Sequence, residues 1–378
     1  MKLLLVGHLA ISTKLIIALN KTGINLSVLS TETESPISEN SKKEILAEST
    51  YLGGFYDHFK LSKPKYTRFL FSFTFLIPFI PKSLFSKLVS VLKENDPEIV
   101  VGNWGTGILP EINLIKSLDL PSKTKVILNM ETFPTAWKSR KREFFERYLL
   151  KSSMKNIDGL IVPTDEMYNL LISYGFKLED KIIYRKPFYF PRSHFETTKV
   201  LSNHDEAIKD LIFLGKPDLF RSLNSVQNQL LELAESGITI SCSEKFNLSH
   251  KNIFPFKPFG IYDFDYNFSK ITATHKAALV TFKIQETSDY PLRFNTSLPH
   301  RFLFPLALGL PTVVPQQGFQ AIGTLIDKYQ IGYRYQSIEK LKEYLRSDAV
   351  SISRNNIIDH KSELDFNADE FKAFLKKF

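Results

Sequence analysis

Residues 295–315 combine a loop, a helix start and a basic side chain in an arrangement that suits an anion. Ser297 and Pro299 lie in the loop, and Arg301 falls in the first turn of the predicted helix. The first backbone amides of a helix lack intrahelical partners, and the helix dipole adds positive potential there. These amides and the Arg301 guanidinium are therefore expected to bind a phosphate group. The alternative is that Arg301 pairs with a surface carboxylate.

A second basic junction is predicted where the strand over residues 210–214 ends. Gly215 is followed there by Lys216 and Arg221. A glycine with two basic residues at a strand-to-helix junction makes a reasonable diphosphate cradle, because the backbone can approach closely and both side chains carry charge. We expect Lys216, Arg221 and Arg301 to converge on one diphosphate.

Polar residues also follow two predicted strands in the N-terminal half. Asn103, Trp104 and Gly105 directly follow one strand, and Glu131 follows the next one along the chain. Parallel α/β sheets bind ligands at the carboxyl ends of their strands. A glycine allows close approach of a ligand, and a carboxylate facing a cleft can act as a base or bind hydroxyls. The plainer alternatives are an ordinary strand-to-helix turn and a solvated loop glutamate.

Several kinds of chemistry have no support in the sequence. No Gly-x-Gly-x-x-Gly follows the first strand, so a dinucleotide cofactor is not expected. The eight histidines are scattered, and one cysteine, Cys242, allows neither a cysteine-based zinc cage nor an intrachain disulfide. We therefore expect no cofactor, no metal and a cytosolic location. No uninterrupted apolar stretch is long enough to span a bilayer, and the apolar start is better explained by a buried strand than by a signal peptide.

The elements that would position these residues alternate between strands and helices. In the first half, the predicted order is strand 2–6, helix 9–22, strand 25–30, helix 83–94, strand 98–102, helix 107–118, strand 124–129, helix 139–155, strand 158–162 and helix 164–174. In the second half it is strand 210–214, helix 222–235, strands 237–241 and 277–282, helix 299–308, strand 311–314, helix 319–329, strand 332–335 and helix 366–377. This alternation of strands and helices predicts two successive parallel α/β sheets, and a length of 378 residues suits two domains.

Charge points to an anionic partner for the N-terminal half. Of the formal net charge of +9, residues 1–186 carry +7 (26 basic against 19 acidic) and the remainder carry +2. Nucleic acid, an anionic membrane surface and a phosphorylated substrate are the candidates, and a solubilising surface is the plain alternative. No recognised nucleic-acid module is present, so we expect no nucleic-acid partner. The basic helix 139–155 suits either a membrane interface or a solvated helix face. The aromatic run 66–81 suits either a membrane interface or a buried core segment.

Two motifs carry a resemblance to a known family. Leu298-Pro299-His300-Arg301, followed by the run from Ala307 to Val314, resembles the nucleotide-sugar site of GT-B glycosyltransferases, especially glycosyltransferase family 4. The Gly215-Lys216 pair resembles the start of that family's C-terminal domain, and residues 146–172 resemble its helix, Asp-Gly-Leu-Ile-Val-Pro-Thr, helix segment. The chain departs from the family at three places. Phe304 stands where the family has an acidic residue that binds the donor ribose. Glu286 is the nearest candidate for its other acidic residue. Asn103 or Trp104 occupies the place of its catalytic histidine.

The resemblance implies two Rossmann-like domains facing a cleft, with the last helix crossing back. It places an acceptor-binding domain at residues 1–188, a linker at 189–208, a nucleotide-sugar-binding domain at 209–350 and helices that pack back at 351–378. The donor would be bound by Gly215, Lys216, Arg221, Ser297, Leu298, Pro299 and Arg301, and the acceptor by Asn103, Trp104 and Gly105, with Glu131 and Glu286 as catalytic residues.

The function implied is transfer of a sugar from a nucleotide sugar to a glycan or lipid-linked acceptor, in cell-surface polysaccharide or lipopolysaccharide synthesis. Lys, Arg and helix dipoles would stabilise the diphosphate leaving group without a metal ion. The protein would work in the cytoplasm, peripherally on the inner face of the membrane. The alternatives are a nucleotide-sugar epimerase of the same architecture and a degenerate, non-catalytic scaffold.

Overall fold

The chain folds into two compact units, one formed by Met1–Phe188 with Asn367–Phe378 and the other by Tyr189–Phe366. The computed structural model describes residues 1–31, 42–43, 45–59, 82–103, 105–118, 120, 123–133, 140–186, 209–215, 223–257, 274–281 and 292–378. The aromatic run at 66–81 and the linker predicted at 189–208 lie outside these residues.

The N-terminal unit holds a parallel sheet in the order β3-β2-β1-β4-β5-β6-β7. Its strands are β1 (Lys2–Gly7), β2 (Asn25–Ser30), β3 (Thr50–Gly54), β4 (Ile99–Asn103), β5 (Lys125–Asn129), β6 (Gly159–Ile161) and β7 (Ile182–Tyr184). Its longer helices are Leu9–Asn20, Ser86–Asn95, Leu109–Ser117, Arg140–Ser153, Asp165–Ser173 and Ala368–Leu375, the last contributed by the C-terminus. Single 3₁₀ turns lie at Phe55–His58, Lys82–Phe85, Gly105–Ile108 and Met154–Asn156.

The second unit holds another parallel sheet in the order β10-β9-β8-β11-β12-β13. Its strands are β8 (Lys209–Phe213), β9 (Ile240–Ser243), β10 (Ile253–Phe256), β11 (His275–Leu279), β12 (Thr312–Pro315) and β13 (Gly332–Tyr335). Its helices are Leu223–Glu235, Leu292–Thr296, His300–Ala307, Gln320–Tyr329, Ile338–Arg346, Ala349–Asp359 and Lys361–Leu364, with a 3₁₀ turn at Glu244–Phe246.

Burial on both faces explains why the central strands are continuous apolar runs. Leu3, Leu4, Leu5 and Val6 of β1 are all fully buried, although successive side chains point to opposite faces of the sheet. Both faces of β1 are therefore covered, as parallel sheets require. The prediction of two parallel α/β sheets is confirmed.

The strands that the sequence did not predict are β3, β7 and β10, and all three lie at sheet edges. Each has three to five residues, and none of them is buried along its whole length. An edge strand is hydrogen-bonded on one side only and is less fully covered. These three strands are also too short to show a clear pattern, and β3 contains two glycines and β10 a proline, which are unusual inside a strand. The helix Ile338–Arg346 was also not predicted, and Ala349–Asp359 overlaps the helices expected at 351–378. The strand predicted at 237–241 begins three residues later, at Ile240.

The C-terminal helix Ala368–Leu375 packs on the N-terminal unit. Phe371 and Phe374 are buried, and their ring centroids lie 5.2 and 5.1 Å from that of Tyr184 in β7. Lys372 donates a hydrogen bond of 3.1 Å to the carbonyl of Thr22. A Cβ on Gly159 would come within 2.3 Å of the Phe378 ring, so the chain end also fits closely against β6.

We predict that Phe371→Ala destabilises the N-terminal unit by about 3–5 kcal/mol, because it empties a fully buried aromatic site. Both tryptophans of the chain, Trp104 and Trp137, lie in this unit, so tryptophan fluorescence during urea unfolding reports on it. The control is Lys376→Ala at an exposed position of the same segment, which should change stability by about 0.5 kcal/mol at most. Equal effects of the two substitutions would show that the helix does not stabilise the unit.

Candidate functional site

Each sheet has one point at which its strand order reverses direction. In the first sheet, the chain builds outward from β1 through β2 and β3, then returns to the other side of β1 with β4. In the second sheet the corresponding pair is β8 and β11. Ligands of open α/β sheets bind outside the carboxyl ends of the strands at such a reversal, because the connections leave it in opposite directions.

Arg301 reaches the reversal point of the second sheet. It lies in the first turn of helix His300–Ala307, and its Nη1 donates a hydrogen bond of 3.2 Å to the carbonyl of Thr281, just beyond β11. Its guanidinium carbon lies 5.5 Å from the ring centroid of Phe213 in β8, within the range of a cation–π contact. The side chain is thus held between the ends of the two strands that flank the reversal.

Gly215 lies close to Arg301 in space, and Ser297 precedes it by four residues in the sequence. A Cβ on Gly215 would come within 2.3 Å of the Phe213 ring and 3.1 Å of the Arg301 Nη1, so a larger residue does not fit without displacing them. The Ser297 hydroxyl is buried and has no hydrogen-bond partner among the described residues. Pro299 occupies the N-cap position of helix His300–Ala307 and provides no side-chain cap.

Phe304 fills an apolar position in the same helix. It is buried, and its ring contacts that of His300 edge-on at a centroid distance of 5.4 Å. Leu298, at the end of the loop before the helix, is also buried. The helix therefore packs on its unit through apolar side chains, and Arg301 is the cationic group in its first turn.

A buried polar network occupies the reversal point of the first sheet. Asn103 ends β4 and Asn129 ends β5, and the two are paired in register. Asn129 Nδ2 donates hydrogen bonds to Asn103 Oδ1 at 2.8 Å and to Glu131 Oε1 at 3.1 Å. Asn103 Nδ2 donates to the Ser12 hydroxyl at 2.7 Å.

An ion pair completes this network. Lys14 Nζ lies 2.9 Å from Glu131 Oε2, and the two side chains are only 5% and 8% exposed. Lys14 comes from helix Leu9–Asn20, so the pair joins the first helix to the end of β5. The Asn129 Oδ1 is buried without a hydrogen-bond partner in the described part of the chain, which leaves one acceptor for a further donor.

Close backbone packing fixes the loops beside the network. A Cβ on Gly7 would come within 2.1 Å of the Asn103 carbonyl oxygen and 2.9 Å of the Ser12 hydroxyl, so no other residue fits at the end of β1. Gly105 adopts a φ of +56°, a left-handed conformation that glycine accepts without steric cost. These glycines hold the first strand end and the turn after β4 in place.

The network includes residues that sequence reasoning missed, namely Ser12, Lys14 and Asn129. Lys14 carried a usable signal, because it is a lone charge in a helix that is otherwise apolar or small, and such a lysine needs a buried partner. Four residues predicted to be functional, Trp104, Lys216, Arg221 and Glu286, lie outside the described residues.

The described residues offer little other chemistry. They include no group of three histidine, cysteine, aspartate or glutamate side chains that could hold a metal ion. Burial raises the pKa of the Cys242 thiol in β9 to about 11, so it is protonated and unreactive at neutral pH. None of the described helices has the length and apolar character needed to span a membrane.

Comparison with known proteins rests on structure alone. No family model matches the sequence, and no curated protein matches it. Sucrose-phosphate synthase from Thermosynechococcus elongatus aligns with a TM-score of 0.63 at 9% identity, covering 100% of this chain and 99% of that one. Anabaena HepE in complex with UDP aligns with a TM-score of 0.62 at 9% identity over 100% of both chains. The chain has the GT-B fold.

A third solved structure is similar to a lesser degree. AviGT4, a glycosyltransferase involved in avilamycin A biosynthesis, aligns with a TM-score of 0.54 at 11% identity, covering 100% of this chain and 97% of that one. With identities this low, the likeness is one of fold.

We predict that Lys14→Met destabilises the N-terminal unit by about 3–5 kcal/mol, because it leaves the buried Glu131 carboxylate without its partner. The double variant Lys14→Met/Glu131→Gln removes both charges and should recover much of that loss. Urea unfolding followed by tryptophan fluorescence gives both values, with Glu131→Gln alone completing the cycle. Additive effects of the two substitutions would show that the pair is not coupled.

Proposed function

We propose that the chain is a glycosyltransferase that takes its sugar from a nucleotide-sugar donor. The observation that carries the proposal is the position of Arg301, at a helix start and at the strand reversal of the second sheet. The leaving group of such a donor is a nucleoside diphosphate, whose negative charge grows as the glycosidic bond breaks. A guanidinium fixed at that point stabilises the developing charge without having to reorganise.

Other groups of the second unit are proposed to complete the donor site. The start of helix His300–Ala307 contributes positive potential, and the unpartnered Ser297 hydroxyl can donate a hydrogen bond. Gly215 keeps the strand end open to a phosphate, and Lys216 and Arg221 are proposed to add charge from the segment that follows. Leu298 and Pro299 shape the loop. In this proposal these cations, rather than a metal ion, neutralise the diphosphate, and Glu286 is proposed as a catalytic residue.

The acceptor is proposed to bind at the carboxyl edge of the first sheet. Glu131 is the proposed base or hydroxyl-binding group, and Lys14 keeps its carboxylate in place. The amide of Asn103 is bonded at both ends, to Ser12 and to Asn129, so its proposed contribution is to position the network rather than to contact the acceptor. Trp104 and Gly105 are proposed to contact the acceptor directly.

The names of the similar structures support this reading. Anabaena HepE is known in complex with UDP and with UDP-glucose, and AviGT4 is a glycosyltransferase. We propose by extension that this chain binds a nucleotide sugar and transfers to a glycan or lipid-linked acceptor in cell-surface polysaccharide or lipopolysaccharide synthesis. The charge of +7 on residues 1–186 supports a place at the inner, anionic face of the cytoplasmic membrane.

We predict that Arg301→Ala lowers nucleotide-sugar turnover by about 30- to 1000-fold, which corresponds to about 2–4 kcal/mol of transition-state stabilisation. The assay first screens nucleoside diphosphates for thermal stabilisation of the wild type, then measures sugar release from the matching donors. The control is Arg346→Ala, an exposed arginine at the end of helix Ile338–Arg346, which should leave turnover unchanged.

Two outcomes would contradict this proposal. If Arg301→Ala stays within about threefold of the wild type in affinity and turnover, a change of less than about 1 kcal/mol, Arg301 is not a donor residue. If the wild type binds none of the nucleoside diphosphates, the chain is a GT-B scaffold without a donor site.

A further inference from the structure

Helix Arg140–Ser153 presents aromatic side chains to the outside of the N-terminal unit. Phe144 is 70% exposed, Tyr148 is 63% exposed and Phe145 is 48% exposed. Among the described residues, Phe144 and Tyr148 are the two most exposed large hydrophobic side chains, and all three lie within five residues of one another. Single exposed apolar side chains are normal in soluble proteins, but a contiguous group of them marks an interaction surface.

The acidic side chains of this helix point the other way, into their own unit. Glu143 accepts a hydrogen bond of 2.6 Å from the Tyr174 hydroxyl, and Glu146 accepts one of 3.3 Å from the Thr106 hydroxyl. Arg147 lies over the Tyr174 ring, with its guanidinium carbon 3.9 Å from the centroid. The helix still buries Leu150 in the core, but its carboxylates are engaged within the unit while its aromatic rings are exposed.

The charges that do remain on the outside are cationic. Lys141 and Lys151 are exposed on the helix, and Lys155 is exposed just after it. Lys141 precedes Phe144 by three residues and Lys151 follows Tyr148 by three, so these four side chains form one stripe along the helix. Glu143 and Glu146 are the acidic residues between positions 140 and 156, and both are engaged as described above.

This combination of groups matches a lipid interface better than it matches a second copy of the chain. Aromatic rings favour the boundary between headgroups and acyl chains, and lysines reach the lipid phosphates from their flexible stems. A symmetric dimer would place the same stripe against itself, and the stripe offers no carboxylate to its own lysines. An anionic bilayer provides both the apolar layer and the negative charge.

We propose that the outer face of helix Arg140–Ser153 docks on an anionic lipid bilayer, with Phe144, Phe145 and Tyr148 inserted at the headgroup level and Lys141 and Lys151 on lipid phosphates. The proposal deepens the proposed function, because it places the acceptor-binding unit where a lipid-linked acceptor would lie. Lipid binding itself needs no donor, no acceptor and no turnover, so it can be measured separately.

The test is co-sedimentation of the full chain with vesicles of phosphatidylcholine alone or mixed with phosphatidylglycerol. The wild type is expected to bind the mixed vesicles, and Phe144→Gln/Phe145→Gln/Tyr148→Gln should lose at least about tenfold in partition coefficient. Glutamine keeps helix propensity and the three positions are exposed, so the fold is expected to persist. Lys141→Glu/Lys151→Glu should lose binding to the mixed vesicles to a similar degree, and added salt should weaken the wild type.

Matched controls separate the surface from general effects. Ile352→Ser/Ile358→Ser removes two side chains of the second unit that are 56% and 50% exposed, and it should bind vesicles like the wild type. Lys87→Glu/Lys93→Glu makes the same charge change on helix Ser86–Asn95 and should cost clearly less than the change on the docking helix. Arg301→Ala should bind vesicles normally, and the triple glutamine variant should still bind the nucleoside diphosphate.

Three results would overturn the proposal. One is wild-type binding that is indifferent to phosphatidylglycerol and to salt. Another is a triple glutamine variant that binds vesicles as the wild type does. The third is self-association of the wild type, measured by sedimentation velocity, that the triple variant abolishes while vesicles are not bound; the face would then be a dimer contact. If the wild type binds vesicles but no nucleoside diphosphate, the proposed donor site is wrong and the proposed lipid-binding surface is still supported.

Discussion

Parallel pairing of the strands is the constraint on which the rest of this molecule depends. A parallel pair cannot be joined by a tight turn, so each connection must cross back over the sheet before the next strand begins. All strands of a sheet then point their carboxyl ends to one edge, and polar residues that end different strands meet there. The reversal of strand order between β1 and β4, and between β8 and β11, leaves room at that edge between connections that diverge. Both candidate clusters lie at these two points.

The two clusters hold charged side chains at a sheet edge in different ways. In the first sheet, charge is buried and compensated, because Lys14 pairs with one oxygen of Glu131 and Asn129 donates a hydrogen bond to the other. Such a pair fixes geometry more than it adds stability, since both ions give up water. In the second sheet, the Arg301 guanidinium is fixed at the strand ends by a hydrogen bond to a backbone carbonyl and by contact with an aromatic ring. An arginine held in that way is suited to an anionic ligand.

The sequence was informative where a pattern is local. The helix predicted at 299–308 is found at His300–Ala307, because a proline at the N-cap and a glycine beyond the end mark its limits. Apolar runs predict the central strands, and Glu131 is a candidate site residue because it follows one of these strands. What could not be predicted depends on pairing between distant segments. The contact between Asn103 and Asn129 follows from the register of β4 and β5, and the partner of Lys14 lies 117 residues away along the chain. The edge strands β3, β7 and β10 have only three to five residues, too few to show a pattern that marks a strand.

Binding of the donor diphosphate by Arg301 is tested most directly by a thermodynamic cycle. Binding of the best nucleoside diphosphate and of the corresponding nucleoside is measured by calorimetry on the wild type and on Arg301→Ala. If Arg301 binds the diphosphate, we expect the diphosphate to add about 1.5–3 kcal/mol more affinity in the wild type than in the variant, the value of hydrogen bonds to charged groups. An equal gain from the diphosphate in both proteins would contradict it.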